Sequence, residues 1–152
     1  MKKLTHVTSS GEARMVDVSP KQIVHREALA TGKIYLQPQT IRLIQGLQIK
    51  KGDVLVVARV AAISAAKKTS DLIPLCHNIP LSHVDVQFEV KKDFIKTSVK
   101  VRCQGKTGVE MEALTGAAAA CLTIYDMCKA VDDKMVISDI HLLEKKKSEI
   151  QS

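Results

Sequence analysis

A chain of 152 residues with 45% hydrophobic and 26% charged side chains is long enough to bury a core as one domain and too apolar for wholesale disorder. Lysine and arginine outnumber aspartate and glutamate by 23 to 16, a net charge of +7, which favours anionic partners such as nucleotides, phosphorylated metabolites or nucleic acids. No apolar run approaches the roughly 20 residues a bilayer span needs, and the lysines of MKKLTHVTSSGEAR have no apolar stretch behind them, so a cytoplasmic protein without membrane contact is expected.

Residues 1–20 are mixed and polar, without periodicity, and are expected to form an extended or mobile arm. A single domain is expected over 21–143. IVHREALATGKIYLQ (23–37) is β-branched and partly alternating, which predicts a strand. In PQTIRLIQGLQIKK, Pro38 suits a first helical position, and Ile41, Ile44 and Leu47 fall at helical spacing. KGDVLVVARVAAISAAKKTSD carries Asp53 as a helix N-cap and Lys67 and Lys68 at the negative end of the dipole. Its valines compete for a strand, but its length and alanines decide for a helix.

Val84, Val86, Phe88 and Val90 alternate with polar residues, and after KKD so do Ile95, Val99, Val101 and Cys103, which predicts a hairpin. A helix follows over about 113–131, then a closing strand in MVISDIHLLEKK; the lysine-rich end, 144–152, is expected to be a solvated tail. The order β, α-α, β, β, α, β matches a ferredoxin-like α+β fold, an antiparallel sheet with helices on one face.

With aromatics at 3%, the core must be built from Val, Ile, Leu, Ala and Met. Four cysteines without an export signal point to free thiols. Cys121 and Cys128 stand two helical turns apart and read as small buried hydrophobes rather than metal ligands. No constellation of metal-ligand spacing is visible, so no metal or other cofactor is assigned.

The helix near the end of the chain is apolar almost all round, yet it holds Asp126 and Lys129, three residues apart and therefore neighbours. They read either as an ordinary surface ion pair or, if desolvated, as a pair too costly to keep without a use. Glu110 and Glu112 flank Met111; in an extended segment they would share a side and raise one another's pKa, and at a helix start they would simply suit the dipole. GKTG (105–108) lacks the upstream glycine of a phosphate loop. In DLIPLCHNIPLSHV, prolines bracket His77, a candidate proton carrier or substrate partner in a stiff loop. Adjacent Cys76 and His77 point apart in an extended chain, which disfavours a nucleophile pair. Arg26, Lys50, Lys51, Lys67 and Lys68 lie near predicted element ends, where cations can converge on phosphate.

KGDVLVVARVAAISAAKKTSDLIPLCH, GKTGVEMEALTGAAAACLTIYDMCKAV and LTHVTSSGEARMVDVS closely resemble the MoaC family of molybdenum cofactor biosynthesis, a likeness that spans roughly residues 4–143. The resemblance implies a lyase that rearranges a cyclised dihydro-GTP, made by a partner radical enzyme, to cyclic pyranopterin monophosphate and diphosphate. It also implies a homohexamer built from dimers, with the pocket at a subunit interface. By position it assigns Asp126, Lys129 and Lys51 as catalytic, and Leu75, Cys76, His77, Met111 and Glu112 as substrate-binding, with Glu110, Arg26 and Lys67 beside them. The chain departs from the family in EKKKSEIQS, where a glycine-rich tail is usual, and at Asn78, where proline is frequent.

Two other classes compete. An RNA-binding sheet would need alternating aromatics for base stacking, and VKVRCQGKTG has none. A non-catalytic assembly subunit would explain the apolar helix but not Asp126 with Lys129.

Overall fold

A computed structural model of the chain describes residues 5–150. The elements are β1 (Val24–Tyr35), α1 (Pro38–Gln45), α2 (Val54–Lys67), the short α3 (Thr69–Leu72), β2 (His83–Val90), β3 (Phe94–Gly105), α4 (Glu110–Cys128) and β4 (Val136–Ser148). The strands form one antiparallel sheet in the order β2-β3-β1-β4. The class is α+β, and the elements follow the succession expected from the sequence, with α3 added. No helix among the described residues is long and apolar enough to cross a membrane.

The hairpin forms because its side chains alternate with period two. Along β3, Ile95, Thr97, Val99, Val101 and Cys103 are buried while the residues between them are not. The register sets Val84, Val86, Phe88 and Val90 of β2 on that same face, and Ala28, Ala30 and Ile34 of β1. Both long helices cover this face, α4 over β1, β3 and β4, and α2 over β2.

Helix α2 begins where Asp53 Oδ1 accepts the backbone N–H groups of Leu55 and Val56 at 3.1 and 3.2 Å, the expected N-cap. It meets α4 along a seam of small residues, Ala58, Ala62 and Ala66 against Ala113, Gly116, Ala117 and Ala120. At Gly116 the approach is so close that a Cβ would lie 3.0 Å from Val99 Cγ1 and 3.2 Å from the Ala62 carbonyl oxygen.

Three expectations are corrected. Leu47 does not continue α1: the helix ends at Gln45, and Leu47 is exposed with φ 54°, because Gly46 interrupts the turn. Helix α4 begins at Glu110 rather than near 113, since two glutamates in its first turn suit the positive dipole end. The tail expected from residue 144 is paired to β1 as far as Ser148, opposite His25, although its side chains remain solvated. Bulges in β4 accommodate this pairing, one of them at Asp139, whose φ of 53° is tolerated by a short polar side chain.

Within residues 5–20 a turn is closed by a Val7–Ala13 bridge and a second turn falls at Ser19–Pro20; the first four residues of the expected arm lie outside the described range, as do the last two of the tail.

Candidate active site

Helix α4 carries candidate residues at both ends. At its C-terminal end, Lys129 Nζ lies 2.7 Å from Asp126 Oδ1, as the three-residue spacing predicts. Lys51, 75 residues earlier in the chain, donates to the other carboxylate oxygen at 3.1 Å and to the Asp126 main-chain carbonyl at 2.9 Å. That second bond satisfies one of the carbonyls a helix end leaves unpaired. Hydrogen bonds from Lys129 and then Lys51 hold the Asp126 carboxyl below its ordinary pKa, and Asp126 holds the Lys129 ammonium above its own. The pair is not desolvated within one chain: side-chain exposure is 57% for Asp126, 58% for Lys129 and 46% for Lys51. The buried setting expected for it is therefore absent from the single chain, because the buried positions of α4 form one inward stripe and Asp126 and Lys129 lie off it.

At the N-terminal end, Glu110 and Glu112 are one residue apart on a helix, not on an extended segment, so they diverge. Glu112 is buried at 4% exposure. Burial raises its pKa, its own backbone N–H partly offsets this, and Glu110 raises it further. Glu110 instead faces Lys145 at 3.6 Å and shares with Arg26, Gly108 and Lys147 a cavity of about 320 Å³. Arg26 donates through Nη2 to the Lys106 carbonyl at 3.3 Å, and its Nε is buried without a hydrogen-bond partner among the described residues.

Cys76 and His77 follow a turn at Ile73–Cys76. Burial and then the Glu112 charge push the Cys76 thiol up. His77 Nε2 lies 2.6 Å from the Val16 carbonyl oxygen, and Lys106 Nζ donates to Ser19 O at 2.8 Å. Leu75 is half-buried in the same loop, and Met111 is exposed on the first turn of α4. Lys67, closing α2, lines a separate cleft with Asn78–Val84.

The structure thus gathers the sequence candidates other than Lys67 into two groups. Lys51, Asp126 and Lys129 form one; Arg26, Cys76, Met111, Glu110 and Glu112 form the other, with His77 and Leu75 in the adjoining loop. Sixteen residues of helix separate Glu110 from Asp126, about 24 Å at 1.5 Å per residue. Lys145, absent from the sequence candidates, joins the second group because β4 pairs with β1 and sets it opposite Ala28. No local signal marks it, because the charged run around it carries no hydrophobic alternation.

The four cysteines are free thiols, three of them buried. Burial pushes Cys121 and Cys128 up to about 11, so both are inert at neutral pH.

Residues 15–148 match the MoaC family. The chain is 54% identical over 146 residues to the cyclic pyranopterin monophosphate synthase of Chloroflexus aurantiacus, covering 95% of this chain and 90% of that protein. It is equally 54% identical to proteins of the same name from Peptoclostridium acidaminophilum, covering 94% of this chain and 91% of the relative, and Heliobacterium modesticaldum, covering 95% and 92%. Alignment at that identity over nearly the whole of each protein leaves one conclusion: the chain belongs to the MoaC family.

Proposed function

We propose that this chain is a lyase of molybdenum cofactor biosynthesis. It converts (8S)-3',8-cyclo-7,8-dihydroguanosine 5'-triphosphate to cyclic pyranopterin monophosphate, releasing diphosphate. The observation that carries this reading is the likeness to three relatives named for that product, spread over nearly the whole chain. A radical GTP-cyclising enzyme supplies the substrate, and the work is cytoplasmic.

Residue chemistry supports the reaction. Breaking ring C–N bonds needs acids and bases in place, and expelling diphosphate needs cations near the developing charge. Asp126 keeps Lys129 an ammonium, which makes Lys129 a proton donor and cation rather than a free base. Lys51 is the second cation of that group. Glu112, whose proton is held more tightly by burial, acts as acid and base from the opposite group, where Leu75, Cys76, His77 and Met111 bind the ring system. Arg26 and Lys67 hold phosphates.

One chain presents these groups about 24 Å apart, farther than one small nucleotide can bridge. The reading therefore requires a second copy. A twofold axis across α4 would set the N-terminal group of one chain against the C-terminal group of its partner. Exposed Leu122 and Tyr125 on α4 supply apolar surface for that contact, and three such dimers make a hexamer.

The test is phosphorus NMR of purified protein with the cyclised dihydro-GTP. Diphosphate and a cyclic phosphate should appear with the parent chain, and turnover should fall at least about a hundredfold in Lys51→Ala and Lys129→Ala, as for loss of acid–base or charge-stabilising groups. Parent-like turnover in both variants, with folding intact, would remove the catalytic assignment.

A further inference from the structure

We propose that Nδ1 is the working nitrogen of His77, and that the N-terminal segment Val16–Ser19 is what assigns it that role. The proposal rests on the reading of His77 as a substrate-contacting residue and specifies which ring atom does the contacting.

A main-chain carbonyl can only accept a hydrogen bond. His77 Nε2 lies 2.6 Å from the carbonyl oxygen of Val16, so Nε2 carries a hydrogen in both the neutral and the cationic ring. Two consequences follow from imidazole chemistry. In the neutral ring Nδ1 is the only acceptor, and the proton exchanged between the two forms is the one on Nδ1.

The segment that imposes this is itself held. Ser19 O accepts from Lys106 Nζ at 2.8 Å, and Ser19 N donates to Asp17 Oδ1 at 2.9 Å. Lys106 is joined in turn to Arg26 through its carbonyl. The strap thus bridges the His77 loop, the turn before α4 and β1, and the charged groups it brings toward the ring are Asp17 and Lys106. His77 sits in a loop stiffened by Pro74 and Pro80, so ring and strap are both constrained.

For a nucleotide-derived substrate this sets a polarity. An unprotonated Nδ1 accepts from a ring N–H of the substrate; the other tautomer would present an N–H there and meet that donor with a donor. Val16–Ser19 are accordingly positioning residues, acting through His77 on the substrate.

The decisive measurement is two-bond ¹⁵N–¹H correlation NMR on ¹⁵N-histidine-labelled full-length protein without substrate, with His77 assigned by loss of its signals in His77→Gln. The neutral ring should show a protonated Nε2 and an unprotonated Nδ1, and Val16→Gly/Val18→Gly, which loosens the strap, should convert this to a tautomer mixture. A protonated Nδ1 in the neutral parent, or a tautomer indifferent to the loosened strap, would overturn the proposal. Kinetics add a second readout. His77→Asn places an amide near Nδ1 and should retain at least about tenfold more kcat/KM than His77→Gln, whose amide stands in for Nε2, a ratio worth about 1.4 kcal/mol; the reverse order would refute the assignment. Failure of the parent chain to turn over would reject the proposed reaction, while the tautomer would still be read from the substrate-free spectrum.

Discussion

Asp132 shows how a single buried carboxylate can hold the framework around the candidate site. It is 3% exposed and accepts from the Gln37 backbone N–H at 2.8 Å, the Gln37 amide at 3.3 Å, the Thr40 hydroxyl at 2.9 Å and the Lys134 backbone N–H at 3.0 Å. Helix α1 has no side-chain cap from Gln37, so Asp132 serves in its place from across the chain. It ties the helix leading to Lys51 to the turn that follows Lys129. Burial raises its pKa, but these hydrogen bonds outweigh burial and leave it below the ordinary carboxylate value. A lowered folded pKa contributes stability above the unfolded pKa, about 3.9, that is lost as pH falls through the folded one. Asp132→Asn should therefore cost about 1–3 kcal/mol in urea unfolding at about pH 7, with the gap to the parent shrinking below about pH 4. A gap that stays constant into acid would contradict this account.

Among the elements, α4 is the one on which packing and chemistry meet. Its inward stripe must be small for the helix to approach β1, β3 and α2 together, and at Gly116 a Cβ would crowd Val99 and the Ala62 carbonyl. Gly116→Ala gains helix propensity worth about 1 kcal/mol but crowds a backbone oxygen that cannot move without α2. Gly116→Val should lower stability by about 1–3 kcal/mol through overpacking, seen as a reduced urea midpoint with an unchanged slope; an unaltered midpoint would mean that the seam is loose.

The hairpin and α2 were legible because their signals are local. Alternation from Val84 to Cys103 and a capping aspartate before an alanine-rich run need no knowledge of the remainder of the chain. The start of α4 was not, since Glu110 and Glu112 satisfy both an extended and a helical reading and only the pairing of β3 up to Gly105 decides where the helix can begin. The end of β4 was hidden for a related reason: charged residues on a solvated edge strand carry no hydrophobic alternation, and their pairing with β1 is a property of the register.

At the scale of the whole molecule, the proposed dimer makes each site depend on two chains, and mixing tests this directly. Lys129→Ala and Glu112→Gln subunits, each inactive alone, should regain about a quarter to a half of parental activity when unfolded and refolded together, because shared sites then combine two intact halves. No recovery in verified mixed oligomers would place the whole site within one chain. Leu122→Asp/Tyr125→Asp should also shift the assembly toward monomer in light scattering and lose activity with it; an unchanged oligomer would move the interface elsewhere on the surface.

The sequence by itself determined the α+β order, the capped helix, the hairpin, the adjacency of Asp126 and Lys129, and the family, since each is written in short-range periodicity or in contiguous motifs. Only the tertiary structure decided that Lys51 meets Asp126 from 75 residues away, that this group is exposed while Glu112 is buried, that Val16 holds His77, and that the two groups stand at opposite ends of α4. Local hydrogen bonding and side-chain spacing act over a few residues, whereas distance, burial and orientation depend on how a whole sheet closes against its helices.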